Sequence, residues 1–151
     1  MKHWLLKTEP ESYSIDQLKR DKRTCWDGVR NYQARNFIRD DMKLGDLVLL
    51  YHSNADPAGV VGIASVCREA YADHTAQDPK DHHYDPKASA ANPIWMMVDI
   101  KFVKKFKSTV TLEAIKNAKD LEGILVAKRG QRLSVQPVEK AHFEVIRRMG
   151  A

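Results

Sequence analysis

The sequence predicts an α+β fold around a curled, largely antiparallel sheet. Three observations lead there: a period-two apolar set from Ile94 to Phe102, a continuous apolar run from Leu47 to Tyr51, and interspersed strand and helix signals in the order β-α-α-β-β-β-α-β-α. A period of two sets Ile94, Met96, Val98, Ile100 and Phe102 on one face of a strand and Trp95, Met97, Asp99 and Lys101 on the other. Trp95 then either covers a second small core or lines a cleft. The unbroken run at Leu47 requires cover on both faces. Strands outnumber helices, and their order points to a mixed α+β fold.

Each element has a local cause. His3 to Leu6 forms a first strand, ended at Glu9-Pro10 because the residue before a proline is driven toward extended geometry. Ser14-Ile15-Asp16-Gln17 has the form of a capping box and starts a helix from Ile15 to about Lys19. Asn31 caps a second helix from Tyr32 to about Asp40. Leu44-Gly45-Asp46 is a turn before the Leu47–Tyr51 strand, and Asn54-Ala55-Asp56-Pro57 is a turn before a strand from Val60 to Val66, interrupted by Gly62; together these form an antiparallel hairpin. From about Tyr71 to Asn92 the chain is polar and reads as a long loop, a length usually tied to function or motion. Thr111 begins a helix that carries Leu112 and Ile115. Arg132 to Gln136 is a short strand that Pro137 ends before a last amphipathic helix through Arg148.

Composition bounds the function. The 151 residues suit one domain, 1–151, and 43% hydrophobic with 30% charged residues excludes disordered and fibrous classes. No apolar run approaches the roughly 18 residues that cross a bilayer, and the three-residue apolar segment after Met1 is too short for a signal peptide, so a cytoplasmic protein, nuclear if eukaryotic, is expected. Two cysteines, Cys25 and Cys67, outside any CxxC pair, give neither a disulfide framework nor a zinc pattern. The net charge of +5 fits a polyanionic partner, with basic clusters at Arg30, Arg35 and Arg39, at Lys101 to Lys107, and at Lys128, Arg129 and Arg132.

The densest group of unusual residues runs from Cys25 to Asn36. Trp26 precedes an Asp-Gly turn that leads into a helix start, which supplies an aromatic face, a bend and free backbone N–H groups. Two further groups, Lys7-Thr8-Glu9 and Tyr51-His52-Ser53-Asn54, are the polar ends of apolar strands, where donors and acceptors gather at a sheet rim.

These residues resemble the EVE domain. The likeness lies in Trp4-Leu5-Leu6-Lys7-Thr8-Glu9-Pro10-Glu11-Ser12-Tyr13-Ser14, in Trp26-Asp27-Gly28-Val29-Arg30-Asn31-Tyr32-Gln33-Ala34-Arg35-Asn36, and in shorter stretches at Tyr51-His52-Ser53, His83-Tyr84-Asp85-Pro86-Lys87, Trp95-Met96-Met97-Val98-Asp99 and Arg132-Leu133-Ser134-Val135-Gln136-Pro137. It implies a PUA-like fold, a curled mixed sheet or barrel with helices around it, and kinship with the YTH domains, which hold methylated adenine in an aromatic cage. It also implies recognition of methylated or hydroxymethylated cytosine. By that likeness Lys7 and Thr8 fall where related readers have a Lys-Ser pair, Trp26 falls at their first cage tryptophan, and Tyr84 or Trp95 has to supply a second wall.

The resulting expectation is a non-catalytic, monomeric domain that binds DNA or RNA carrying a modified base and needs no cofactor or metal. Trp26 stacks the base; Asn31, His52, Ser53 and the backbone around Thr8 read its edge, with Tyr51 nearby; Arg30, Arg35, Lys128, Arg129, Arg132 and Lys7 hold phosphates. One alternative is a sensor of a free nucleoside or another planar ligand. Another is a hydrolase, using a metal held by His74, His82, His83, Asp73, Asp81 or Asp85, or a Cys25 nucleophile with His52 as base. The loop spacing matches no zinc pattern, and Ser53 beside His52 is not a nucleophile elbow.

Overall fold

The computed structural model describes residues 1–151. Six strands form one mixed sheet: β1 (His3–Thr8), β2 (Arg23–Trp26), β3 (Leu47–His52), β4 (Gly59–Ala72), β5 (Met96–Thr111) and β6 (Val135–Val138). Their order is β2-β5-β4-β3-β1-β6, with β2 and β6 as free edges, so the sheet curls without closing. Only β1 and β3 run parallel; their register pairs Lys7 with Tyr51 and Thr8 with His52, so both strands deliver their polar ends to one rim.

Period-two alternation divides the apolar residues of β1 and β3 between two cores. Trp4, Leu6, Val48 and Leu50 join one cluster with Trp26, Val98 and Ile100, and Leu5, Leu49 and Tyr51 join the other with Phe143 and Ile146. Helices α1 (Ile15–Asp21) and α2 (Tyr32–Asn36) contribute Ile15, Leu18 and Ala34 to the first core. Helices α3 (Leu112–Asn117) and α4 (Lys140–Gly150) contribute Ile115, Phe143 and Ile146 to the second. Cover on both faces is why the Leu47–Tyr51 run lacks polar positions.

The caps form as the sequence predicts. Ser14 Oγ accepts from the Gln17 N–H at 3.2 Å while Gln17 Oε1 accepts from the Ser14 N–H at 2.8 Å. Asn31 Oδ1 accepts from the Ala34 N–H at 3.0 Å, and Thr111 Oγ1 from the Ala114 N–H at 3.0 Å. Gly62 has a packing reason, because a Cβ there would fall 2.8 Å from the Ile15 side chain; a glycine lets α1 lie close on β4.

Several boundaries differ from expectation. Strand β2 has no apolar alternation and was not foreseen; it pairs antiparallel with β5, Cys25 opposite Asp99 and Trp26 opposite Val98. Strands β4 and β5 extend well past their apolar stretches, and the ladder between them shifts register repeatedly, which bends the sheet. The second helix changes after Asn36 into one π-type turn, Phe37–Asp41. Ile94 and Trp95 precede β5 rather than forming its start, and Ile94 has a φ of +61°. Pro137 lies inside β6, opposite Trp4, instead of ending it; on an outer strand its missing N–H breaks no ladder. No helix is long and apolar enough to cross a membrane.

Candidate nucleic-acid interface

A cleft of about 660 Å³ opens where the ends of β1 and β2 meet the turn after Trp26. Lys7 and Thr8 from β1, Trp26 from β2, Asp27 and Gly28 from the turn, and His83 from the long loop border it. Trp26 is only 8% exposed, so the indole gives the cleft a strip while its bulk packs in the core, edge-on to Tyr13 at 6.2 Å between centroids.

The turn is held by Asp73, 45 residues further along the chain than Gly28 and fully buried. One carboxylate oxygen accepts from the Gly28 N–H at 2.8 Å and from Arg30 Nη1 at 2.9 Å. The other accepts from the Thr75 N–H at 2.9 Å and the Thr75 hydroxyl at 2.6 Å. Burial opposes ionisation, but the hydrogen bonds from Thr75, Arg30 and Gly28 outweigh it and hold the carboxyl below its ordinary value. Gly28 has a φ of +79°, and a Cβ on it would lie 2.8 Å from the His83 ring. Glycine is therefore required twice, for the backbone angle and for the imidazole packed on it.

Asp27 differs from Asp73. Its side chain is exposed to the cleft, and its nearest polar contact is the Cys25 thiol, with Sγ 4.0 Å from Oδ2. The cleft walls, then the negative charge of Asp73, push its pKa up. Burial, followed by the charges of Asp27 and Asp99, pushes the Cys25 thiol up, which leaves it a poor nucleophile. Lys7 lies half-buried with its Nζ 5.7 Å from the Tyr51 ring centre, and burial lowers its pKa.

Of the residues the sequence nominates, Lys7, Thr8, Trp26 and Arg30 come together at this cleft. The others stand elsewhere. Tyr51 is buried in the second core. His52 Nε2 accepts the Ile15 N–H at 3.2 Å, which requires a neutral ring, and burial lowers its pKa accordingly. Ser53 donates its backbone N–H to Thr8 O at 3.0 Å, and Asn31 is spent as a helix cap. Tyr84 is a surface residue, 41% exposed and outside the cleft lining. Trp95 is buried, donates its indole N–H to Asp85 at 2.8 Å and stacks on Tyr32 at 4.8 Å, so it covers the loop base and does not wall the cleft.

The cations divide in the same way. Arg30 donates to His83 O, Val29 O, Asp73 and Thr75, and Arg35 donates to Asn36 and to Ile94 O while lying over Tyr32. Both brace the fold. Lys128, Arg129 and Arg132 are exposed and form no ion pair. They precede Ser134, a cleft residue whose carbonyl accepts the Lys7 N–H at 2.9 Å. Among the loop residues of metal-ligand type, Asp81, His82 and His83 set one donor atom each within 4.8 Å of one another, whereas Asp73 and Asp85 are occupied by the bonds above. Asp27, Asp73 and His83 are the residues that reading for aromatic and basic groups missed. Adjacency of Asp27 to Trp26 was the available signal; Asp73 and His83 stood out only as metal-ligand types of the loop, and nothing local tied them to the turn after Trp26.

An open, curled, mixed sheet covered on both faces and bearing this rim cleft is a PUA-like α+β fold. The chain belongs to the EVE domain family, whose profile matches residues 2–149. It is 44% identical to chicken thymocyte nuclear protein 1 and 41% identical to the human protein, each over 95% of this chain; it spans 66% and 72% of their respective lengths. Among solved structures, a Pseudomonas syringae protein superposes with a TM-score of 0.94 at 41% identity, covering 99% of both chains. The human THYN1 protein, crystallised in complex with 5-methylcytosine containing DNA, gives a TM-score of 0.91 at 40% identity over 99% of this chain and 98% of that one.

Proposed function

We propose that residues 1–151 act as one non-catalytic DNA-binding domain that recognises a modified cytosine, methylated or hydroxymethylated, drawn out of its stack into the cleft beside Trp26. The cleft carries this reading: about 660 Å³, within the roughly 300–1,000 Å³ typical of small-ligand sites, bordered by an indole, a hydroxyl, a carboxylate and an ammonium. The 5-methylcytosine DNA complex of a relative with this fold supports the ligand class. Extrusion of a base costs a few kcal/mol and aromatic stacking returns about 1–3, so a single tryptophan can offset it. A buried methyl adds about 0.8 kcal/mol. The protonated Cys25 thiol and the committed His52 nitrogen favour binding over covalent chemistry.

The test is a set of matched oligonucleotides, DNA and RNA, carrying cytosine, 5-methylcytosine, 5-hydroxymethylcytosine or methylated adenine. Modified-cytosine DNA should bind tightest, with affinity falling as salt rises because phosphate contacts release counterions. Tight, salt-independent binding of the free nucleoside would instead make the domain a nucleoside sensor. Phosphate contact falls to Lys7 and to the free cations at 128–132, since Arg30 and Arg35 are engaged. Replacing Lys128, Arg129 and Arg132 together by alanine should flatten the slope of log affinity against log salt by up to about 3. An unchanged slope would take this segment off the DNA path.

A further inference from the structure

A reader of 5-methylcytosine faces a difficulty that its methyl pocket cannot solve. Thymine carries the same 5-methyl group, is abundant in DNA, and differs at position 4, where cytosine has an amino donor and thymine a carbonyl acceptor. A protein group that meets position 4 has to accept a hydrogen bond and be unable to donate one. Carboxylates do this, and amides and hydroxyls do not, because they can turn or rotate to donate.

Two carboxylates line the cleft, Glu9 and Asp27, and a third, Asp73, is buried behind the turn. Asp73 has both oxygens filled by Gly28, Arg30 and Thr75. Glu9 accepts from Asn54 Nδ2 at 2.7 Å. Asp27 stands beside Trp26 in the chain, faces the same cleft and has only the weak thiol contact at 4.0 Å. An unpaired carboxylate at a surface that binds a polyanion is unfavourable by simple Coulomb repulsion unless it meets a donor on the ligand. We propose that Asp27 is the specificity-determining residue of the cleft: its carboxylate accepts from the 4-amino group of the extruded cytosine and repels the 4-carbonyl of thymine. This rests on the modified-cytosine reading above.

The neighbouring groups keep Asp27 available for the role. The Gly28 N–H is already bound to Asp73, so Asp27 cannot fold back to cap its own turn through that group. Raised as its pKa is, the carboxyl has a partner to gain, since an amino donor favours its charged form.

The test uses duplexes that carry cytosine, 5-methylcytosine or thymine opposite an abasic position, so that no pairing energy distinguishes the bases. The wild-type protein should prefer 5-methylcytosine to thymine by about tenfold or more, the discrimination expected of a well-placed polar contact to a base edge. Asp27→Asn is nearly the same size and can present either an acceptor or a donor, so the preference should collapse toward unity while the variant unfolds at the wild-type temperature. Asp27→Ala should weaken 5-methylcytosine binding and, by removing the repulsion, strengthen thymine binding, so that the two affinities converge. A preference that survives Asp27→Asn overturns the assignment and leaves the functional reading in place, as does an equal gain for all three DNAs, which would mean plain repulsion of the backbone. Wild-type protein that binds 5-methylcytosine no better than cytosine overturns the functional reading, and the assignment with it.

Discussion

Replacing Trp26 by alanine is expected to lower affinity for modified-cytosine DNA by about 10- to 100-fold, the equivalent of one lost aromatic contact of roughly 1–3 kcal/mol. The same substitution should cost about 3–5 kcal/mol of stability, because the indole is 8% exposed and shares a core with Leu6, Leu18 and Val98. A domain of this size holds about 5–15 kcal/mol in total, so the two effects have to be separated. Trp26→Phe does so. Phenylalanine keeps the aromatic contact with Tyr13 but is smaller than the indole, and should bind several-fold more weakly at a smaller stability cost than alanine, about 1–2 kcal/mol. Circular dichroism melts and fluorescence anisotropy on the same samples check both halves. A folded phenylalanine variant with wild-type affinity would show that the base lies elsewhere.

The double role of Trp26 explains why its neighbourhood was legible in the sequence. A tryptophan followed directly by Asp-Gly announces an aromatic face beside an abrupt change of direction, and the structure contains both. The capping box at Ser14, the cap at Asn31 and the helix start at Thr111 were equally readable, because every atom involved lies within three residues. The meeting of Lys7-Thr8 with Tyr51-His52 at one rim followed from two apolar strands ending in polar residues. Their side chains were less predictable: Tyr51 and His52 share the rim with Lys7 and Thr8, yet one packs in a core and the other accepts an N–H from α1.

Arginines were the least legible residues. Composition shows that Arg30 and Arg35 are charged, and an unpaired arginine near an aromatic motif reads as a phosphate ligand. Their partners lie far along the chain. Arg30 meets Asp73 and Thr75, and Arg35 meets the Ile94 carbonyl, at separations of 43, 45 and 59 residues. Only the fold brings these together. Strand β2 was hidden for a related reason: Arg23-Thr24-Cys25-Trp26 has no period of its own and is a strand because β5 lies beside it.

Loss of Asp73 is expected to be the most damaging single change outside the apolar cores. Four donors converge on its two oxygens, two on each. Even Asp73→Asn should fail, since whichever way the amide turns, its NH₂ group faces a backbone N–H, that of Gly28 or that of Thr75, which loses its acceptor. Removing one partner from a buried ion pair costs about 3–5 kcal/mol, and here it also frees Gly28 and Arg30, which position the turn that carries Asp27. Urea denaturation of Asp73→Asn and Asp73→Ala should therefore show losses of that order, with DNA affinity falling as the cleft wall loosens. The pH dependence provides an independent check. The folded carboxyl titrates below its ordinary value, near 3.9 when unfolded, so its stabilisation is complete above about pH 5 and is lost as pH falls through the folded value. The stability gap between wild type and Asp73→Ala should stay constant from pH 8 to about pH 5 and narrow below about pH 4. A gap that is absent at neutral pH, or that persists undiminished into strong acid, would show that Asp73 does not hold this wall by its charge.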